Sequence, residues 1–227
     1  MTGKTVRTTS QEQGTALIAV LMVITVLTAL SAAVVLVTTA ESRAAANHEA
    51  AQQALYAADA ALEQTISDLR AADWRTLPAG LVSAHLWDGA VAPRAPDGST
   101  LNLTRLKTMR QAESDSVYGA SSNSPRWSLF AHGPFSALAP AAVVMPSVYL
   151  LVWMADDGDE SDGDPERDSN NLVLVRAEAF AASGALRAID ATLSRQTGPA
   201  AGSPAPPSGL PPVLRGEVRV LSWREVR

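Results

Sequence analysis

No cysteine occurs in this chain, so disulfides, thiolate metal sites and a cysteine nucleophile are excluded together. If the protein is exported, something other than a disulfide must staple its loops. Aromatic residues make up 5% and charged residues 18% of the 227 positions. No basic patch interleaved with aromatics appears, which leaves a nucleic-acid role without footing. Neither HExxH nor GxSxG is present, and no phosphate-cradling glycine loop follows a strand. The three histidines, His48, His85 and His132, are scattered. The chain therefore offers no catalytic constellation, and His48 is expected on the exposed side of a helix.

What is present is unevenly spread. The apolar total of 47% is concentrated near the N-terminus, and the length suits one domain with a core plus an anchor. From Thr15 to Ala40 no residue is charged, and neither proline nor glycine interrupts the run. At about 1.5 Å rise per residue it exceeds the roughly 20 residues that span a bilayer core. Lys4 and Arg7 precede it, and the positive-inside rule puts that end in the cytoplasm. Only Thr25, Thr28, Ser31, Thr38 and Thr39 interrupt the apolar surface, and their hydroxyls can bond back to the preceding turn. A buried core helix would show a polar stripe. A cleaved secretory signal ending near Ser31-Ala32-Ala33 would not need the helical pattern that continues beyond it.

That continuation, Glu41 to Asp73, is polar but strongly helical. Leu55, Ala58, Leu62, Ile66 and Leu69 recur every three or four residues, while Glu49, Gln53, Glu63 and Arg70 fall elsewhere around the wheel. Leu77-Pro78 and Gly80 should end the helix. No heptad series is sustained, which argues against a coiled coil.

Gln13-Gly14-Thr15-Ala16 sets a glycine at the border between a short polar leader and the apolar helix. With GTALIAVLMVITVLTALSAAVV, NHEAAQQALYAADAALEQ and the closing SWREV, the chain resembles PilX-type minor pilins of the type IV pilus. Its first seventy or so residues are also similar to K-type pseudopilins of type II secretion. The resemblance implies a cytoplasmic leader, residues 1–14, cut by a prepilin peptidase between Gly14 and Thr15. It further implies N-methylation of Thr15, although Thr departs from the commoner Phe or Met. A transmembrane helix, 15–40, and its periplasmic continuation, 41–75, then precede a globular domain, 76–227. The fold class is α+β and pilin-like, a long N-terminal helix backing an antiparallel β-sheet.

Major pilins carry a glutamate at the fifth mature position, which here is Ala19. An ionised carboxylate at that depth costs about 2.5–3.5 kcal/mol and would demand a partner. Its absence argues against a shaft subunit and suits one at the tip. The partners implied are other minor pilins, the major pilin, a tip adhesin, the prepilin peptidase and the bacterial inner membrane. A signal-anchored, calcium-dependent binding or adhesion domain is the rival from another class.

In the exported part, 76–146 reads as irregular, anchored on the helix by Trp74, Trp87, Trp127 and Phe130. Strands are expected at Ser147–Met154, Leu172–Phe180, Ala185–Ser194 and Glu217–Val226. In the second, Val173, Val175, Ala177 and Ala179 share one face, with Arg176 and Glu178 on the other, the alternation of a sheet wet on one side. Ala182-Ser183-Gly184 implies a hairpin, and 197–212 reads as a Pro-rich connection.

The loop 155–171 carries eight carboxylates, Asp156, Asp157, Asp159, Glu160, Asp162, Asp164, Glu166 and Asp168, against the single cation Arg167. The whole chain is only −5, so the remainder is net positive. Carboxylates this dense repel one another without a cation, and calcium takes six to eight oxygens in flexible geometry. Asp157, Asp159, Asp162, Asp164 and Asp168 are the candidate ligands of a calcium ion, although the spacing does not match an EF-hand. A solvated acidic loop is the alternative.

Overall fold

The computed structural model describes residues 9–72, 74, 81–119, 124–138, 147–160, 162–196 and 217–226. Among the described residues, two α-helices, α1 (Thr9–Ala71) and α2 (Leu103–Tyr118), accompany five strands. These are β1 (Ser128–Pro134), β2 (Val148–Asp156), β3 (Leu172–Ala181), β4 (Leu186–Gln196) and β5 (Glu217–Val226). The chain divides into two compact units, Met1–His48 and Glu49–Arg227.

The described part of the first unit is helix throughout. Its large apolar side chains, from Leu17 to Val37, are all more than half exposed. An apolar surface on every side has no face for water, and this is the one helix among the described residues long and apolar enough to cross a membrane. The hydroxyl groups find partners inside the helix. Thr25 donates to the Leu21 carbonyl, Thr28 to Ile24 at 2.7 Å, Ser31 to Leu27 at 2.8 Å and Thr39 to Val35 at 2.7 Å. No hydroxyl of these four is left bare where lipid would leave it unsatisfied.

In the second unit α1 presents the expected stripe. Ala54, Ala58, Ala61, Leu62, Thr65, Ile66 and Leu69 are buried at helical spacing, and Leu55 is partly buried beside them. The alanines let the helix approach the sheet closely. Opposite lie Leu150, Val152 and Met154 of β2, Val173, Val175, Ala177 and Ala179 of β3, and Ile189, Ala191 and Leu193 of β4. The helix stops at Ala71, before the Leu77-Pro78 signal, which lies outside the described residues. Two donors satisfy its last carbonyls. Trp74 Nε1 donates to Leu69 O at 2.9 Å and Arg195 Nη1 to Ala72 O at 2.9 Å, the cation also suiting the negative end of the helix dipole.

The sheet runs β1-β2-β3-β4-β5, every pair antiparallel. The β3–β4 hairpin turns where expected: Gly184 takes φ +76° and donates to the Ala181 carbonyl. The outer edge of β1 is covered by residues 83–88, through Ser83 N to Phe130 O at 2.8 Å and His132 N to Leu86 O at 2.9 Å.

The second face of the sheet is not wet. The stretch read as irregular contains β1 and the helix α2, which is started by the Asn102 side chain accepting from Arg105 N at 2.9 Å and closed at Gly119, φ +79°. Leu103 and Leu106 of α2 pack against a buried cluster of Ala95, Leu101 and the β2 residues Tyr149, Leu151 and Trp153. Arg176 and Glu178 are consequently 7% and 0% exposed. Glu178 accepts Trp153 Nε1 at 3.1 Å and Arg176 Nε at 3.1 Å, and Arg110 Nε of α2 approaches it within 2.7 Å. The charged face is buried because its charges are paired. The aromatic anchors divide likewise: Trp74 and Phe130 join the core against α1, Trp127 packs in the cluster on the far face, and Trp87 stays 43% exposed with its edge on the His132 ring. The Pro-rich connection at 197–212 lies outside the described residues.

Candidate functional site

The acidic loop begins where an apolar strand ends. Residues 148–156 of β2 are all buried, so pairing carries the strand's last side chain, Asp156, into the interior at 1% exposure. The chain returns to β3 at Leu172, and just before it Asp168, 4% exposed, accepts backbone hydrogen bonds from Asn171 at 2.7 Å and Leu172 at 3.2 Å. Between them Glu160 folds inward. Its carboxylate accepts Ser169 N at 2.8 Å, Ser169 Oγ at 2.6 Å and Asn170 N at 2.7 Å, tying the two arms of the loop together.

Asp156, Glu160 and Asp168 each bring a carboxylate oxygen within 4.8 Å of the others, a group that could hold a metal ion. Two oxygens on opposite sides of one calcium ion stand about 4.8 Å apart at ordinary bond lengths, so the spacing suits a single ion. All the donors are oxygen, which favours a hard cation over zinc or copper. Asp156 and Asp168 keep lone pairs beyond those their hydrogen bonds use, whereas Glu160 already accepts four hydrogen bonds from Ser169 and Asn170.

Without a cation the cluster is strained electrostatically. Burial, then the charges of Glu160, Asp168 and Asp157, push the Asp156 carboxyl up from 3.8 to about 8. Burial, with Glu160 adding to it, pushes Asp168 up to about 6 against the pull of its backbone hydrogen bonds. Near neutral pH, Asp156 of the cation-free protein therefore holds a proton.

Of the five ligands named from the sequence, Asp168 stands in this triad. Asp157, 9% exposed, lies beside it, accepting Asn170 Nδ2 at 2.9 Å. Asp159, Asp162 and Asp164 are exposed; the last two close turns by accepting the backbone N–H two residues on, at 3.1 and 3.2 Å. Asp156 and Glu160 were outside the set read from spacing. The available signal was position: Asp156 directly follows the apolar run 148–155, so β2 holds it in the core.

The other singled-out residues lie apart. Gly14 falls inside α1 with open space around it, and Ala19 sits on the same exposed apolar helix. His48 is exposed, as expected, and His85 Nδ1 meets Asp68 at 2.7 Å on the surface of the second unit. His132 is buried, its Nδ1 2.9 Å from the Tyr149 hydroxyl and 3.0 Å from Asp88, and burial lowers its pKa. Tyr149 donates to Asp88 at 2.5 Å. These contacts fasten residues 83–88 over the edge of the sheet.

Residues 13–63 match the family model described as PilX N-terminal. No curated protein and no solved structure matches the chain. Residues 13–63 thus carry a PilX N-terminal domain, which points to a PilX-type minor pilin.

Proposed function

We propose that this protein is a minor pilin acting in assembly initiation or in the tip complex of a type IV pilus, and that its acidic loop holds calcium. The PilX N-terminal match over 13–63, starting at the border of leader and apolar helix, carries the reading. In it, prepilin peptidase removes residues 1–14 between Gly14 and Thr15. The helix from Thr15 holds the chain in the bacterial inner membrane with its N-terminus cytoplasmic until it joins other minor pilins and the major pilin. An uncharged residue at position 19 supports the tip assignment, because no carboxylate there calls for a neighbour's amine.

The calcium reading is supported by the triad. The ion would be held by Asp156, Glu160 and Asp168, with Asp157 alongside and the exposed Asp159, Asp162 and Asp164 raising the local negative potential. It would neutralise the like charges and lock the two arms of a loop that no disulfide can staple.

The test is the N-terminal residue of the protein from its native membrane, read by mass spectrometry. A chain starting at Thr15, and one retaining its leader in a Gly14→Val variant, are the expected results. An intact leader in the wild type, or a start near Ala33, overturns the pilin reading. The pilins that co-purify would separate a pilus from a secretion filament.

A further inference from the structure

On the α2 side of the sheet lies a cleft that neither the pilin reading nor the acidic loop uses. Its chamber, about 340 Å³, is lined by Tyr118, Trp127, Asp190, Ser222 and Arg224 among others. That is the lower end of the range for small-molecule sites, about 300–1,000 Å³. An adjoining hollow of about 90 Å³ shares Tyr118, Trp127, Asp190 and Arg224 and reaches Ser114.

Three buried polar atoms here lack hydrogen bonds; one, Arg110 Nε, is held in an ion pair with Glu178 at 2.7 Å, and the other two are open to a ligand. Ser114 is 5% exposed and its hydroxyl has no partner. Asp190 Oδ1 is buried and accepts none, with the Arg176 guanidinium 3.5 Å away as its ion-pair neighbour. Burial without a partner leaves such a group short of the hydrogen bond it would make in water. The charges, by contrast, are matched: Arg110 with Glu113 at 2.7 Å, Arg176 with Glu178 at 3.1 Å, and Arg224 with Asp190 at 2.9 Å. An ionic ligand would find its counter-ions engaged. A purely apolar side chain would leave Ser114 and Asp190 as they are.

What fits is an uncharged molecule with an apolar C–H face for the aromatic rings and several hydroxyls for Ser114, Asp190 and the spare N–H groups of Arg224. We propose that this cleft binds a neutral sugar residue. Tyr118 and Trp127 supply the stacking walls and Asp190 with Arg224 the hydroxyl contacts.

The experiment is saturation-transfer NMR on the full chain in lipid nanodiscs, which carry no sugar headgroup. The probes are methyl β-galactoside, methyl β-glucoside and N-acetylglucosamine. Transfer to the ring C–H protons of at least one probe is expected, with affinity in about the millimolar range. Tyr118→Ala should abolish it, and Asp190→Asn should weaken it about tenfold, the loss of one charge-assisted hydrogen bond. Tyr118 is 55% exposed, so its removal leaves the fold intact, which an unchanged melting temperature verifies. Absence of transfer from all three probes at about 10 mM overturns the proposal. So does transfer that survives both substitutions, or a crosslink from position 118 to a co-purifying pilin without any sugar signal, which would make the cleft a protein interface.

Discussion

Stability of the cation-free protein should fall as pH rises through the neutral range, the reverse of the usual carboxylate behaviour. Asp156 is raised from 3.8 to about 8 in the folded chain. The folded state therefore binds a proton that the unfolded state has released. The resulting stabilisation is fully present below about 3.8 and is lost as pH climbs through about 8. Between about pH 5 and about pH 7 the difference is close to one proton, a slope of about 1.4 kcal/mol per pH unit, or about 3 kcal/mol in all. Asp168, raised to about 6, steepens the lower part of that window. For a domain of this size the loss corresponds to roughly 6–12 °C in melting temperature. Calcium binds the deprotonated triad, so its effect should grow with pH; at about a hundred times its Kd it adds about 2.7 kcal/mol and flattens or inverts the slope. Calorimetry of the full chain in detergent micelles, in EDTA and in calcium across this range, reads both. A melting temperature in EDTA that is flat or rising from pH 5 to 7 refutes the buried, proton-holding carboxyl. Identical curves in calcium and EDTA near pH 7.5 refute the cation site.

Replacing Glu160 by Gln together with Asp168 by Asn should erase the difference between calcium and chelator, whereas Asp162→Asn with Asp164→Asn, on exposed turns, should only reduce it; isothermal titration with calcium distinguishes the two pairs. Glu178→Ala strands the buried Arg176 and the adjacent Arg110, and urea denaturation should show a loss of about 3–5 kcal/mol. Leu62→Ala, at 2% exposure in the middle of the α1 stripe, should cost about 2–5 kcal/mol by the same assay, since a helix packed on a sheet cannot fully collapse around the void.

How far residues alone carry the structure depends on how local the governing physics is. The helix was legible because an uncharged, proline-free run needs no tertiary partner to be helical, and because Ala58, Leu62, Ile66 and Leu69 repeat at the period of one face. Four strands were legible from their length and apolar content, and the β3–β4 hairpin from Gly184. Helix α2 escaped because, of its sixteen residues, Leu103 and Leu106 are the hydrophobic ones that pack on the far cluster, so its apolar periodicity is faint. One signal did point to it. The run from Val148 to Met154 has no polar alternate, as a strand covered on both faces requires, and Tyr149, Leu151 and Trp153 needed a cover.

The sequence by itself determined the long helix with its apolar first half, the class of the fold and the density of carboxylate in one loop, all of them properties of neighbours along the chain. Only the tertiary structure decided which carboxylates meet. Asp156 and Glu160 join Asp168 because β2 pulls the first into the core and Ser169 and Asn170 draw the second inward, whereas spacing had favoured Asp162 and Asp164, which remain in water. It also decided that Arg176 and Glu178 would be buried, since burial of a charge depends on the Arg110 that α2 brings from far along the chain.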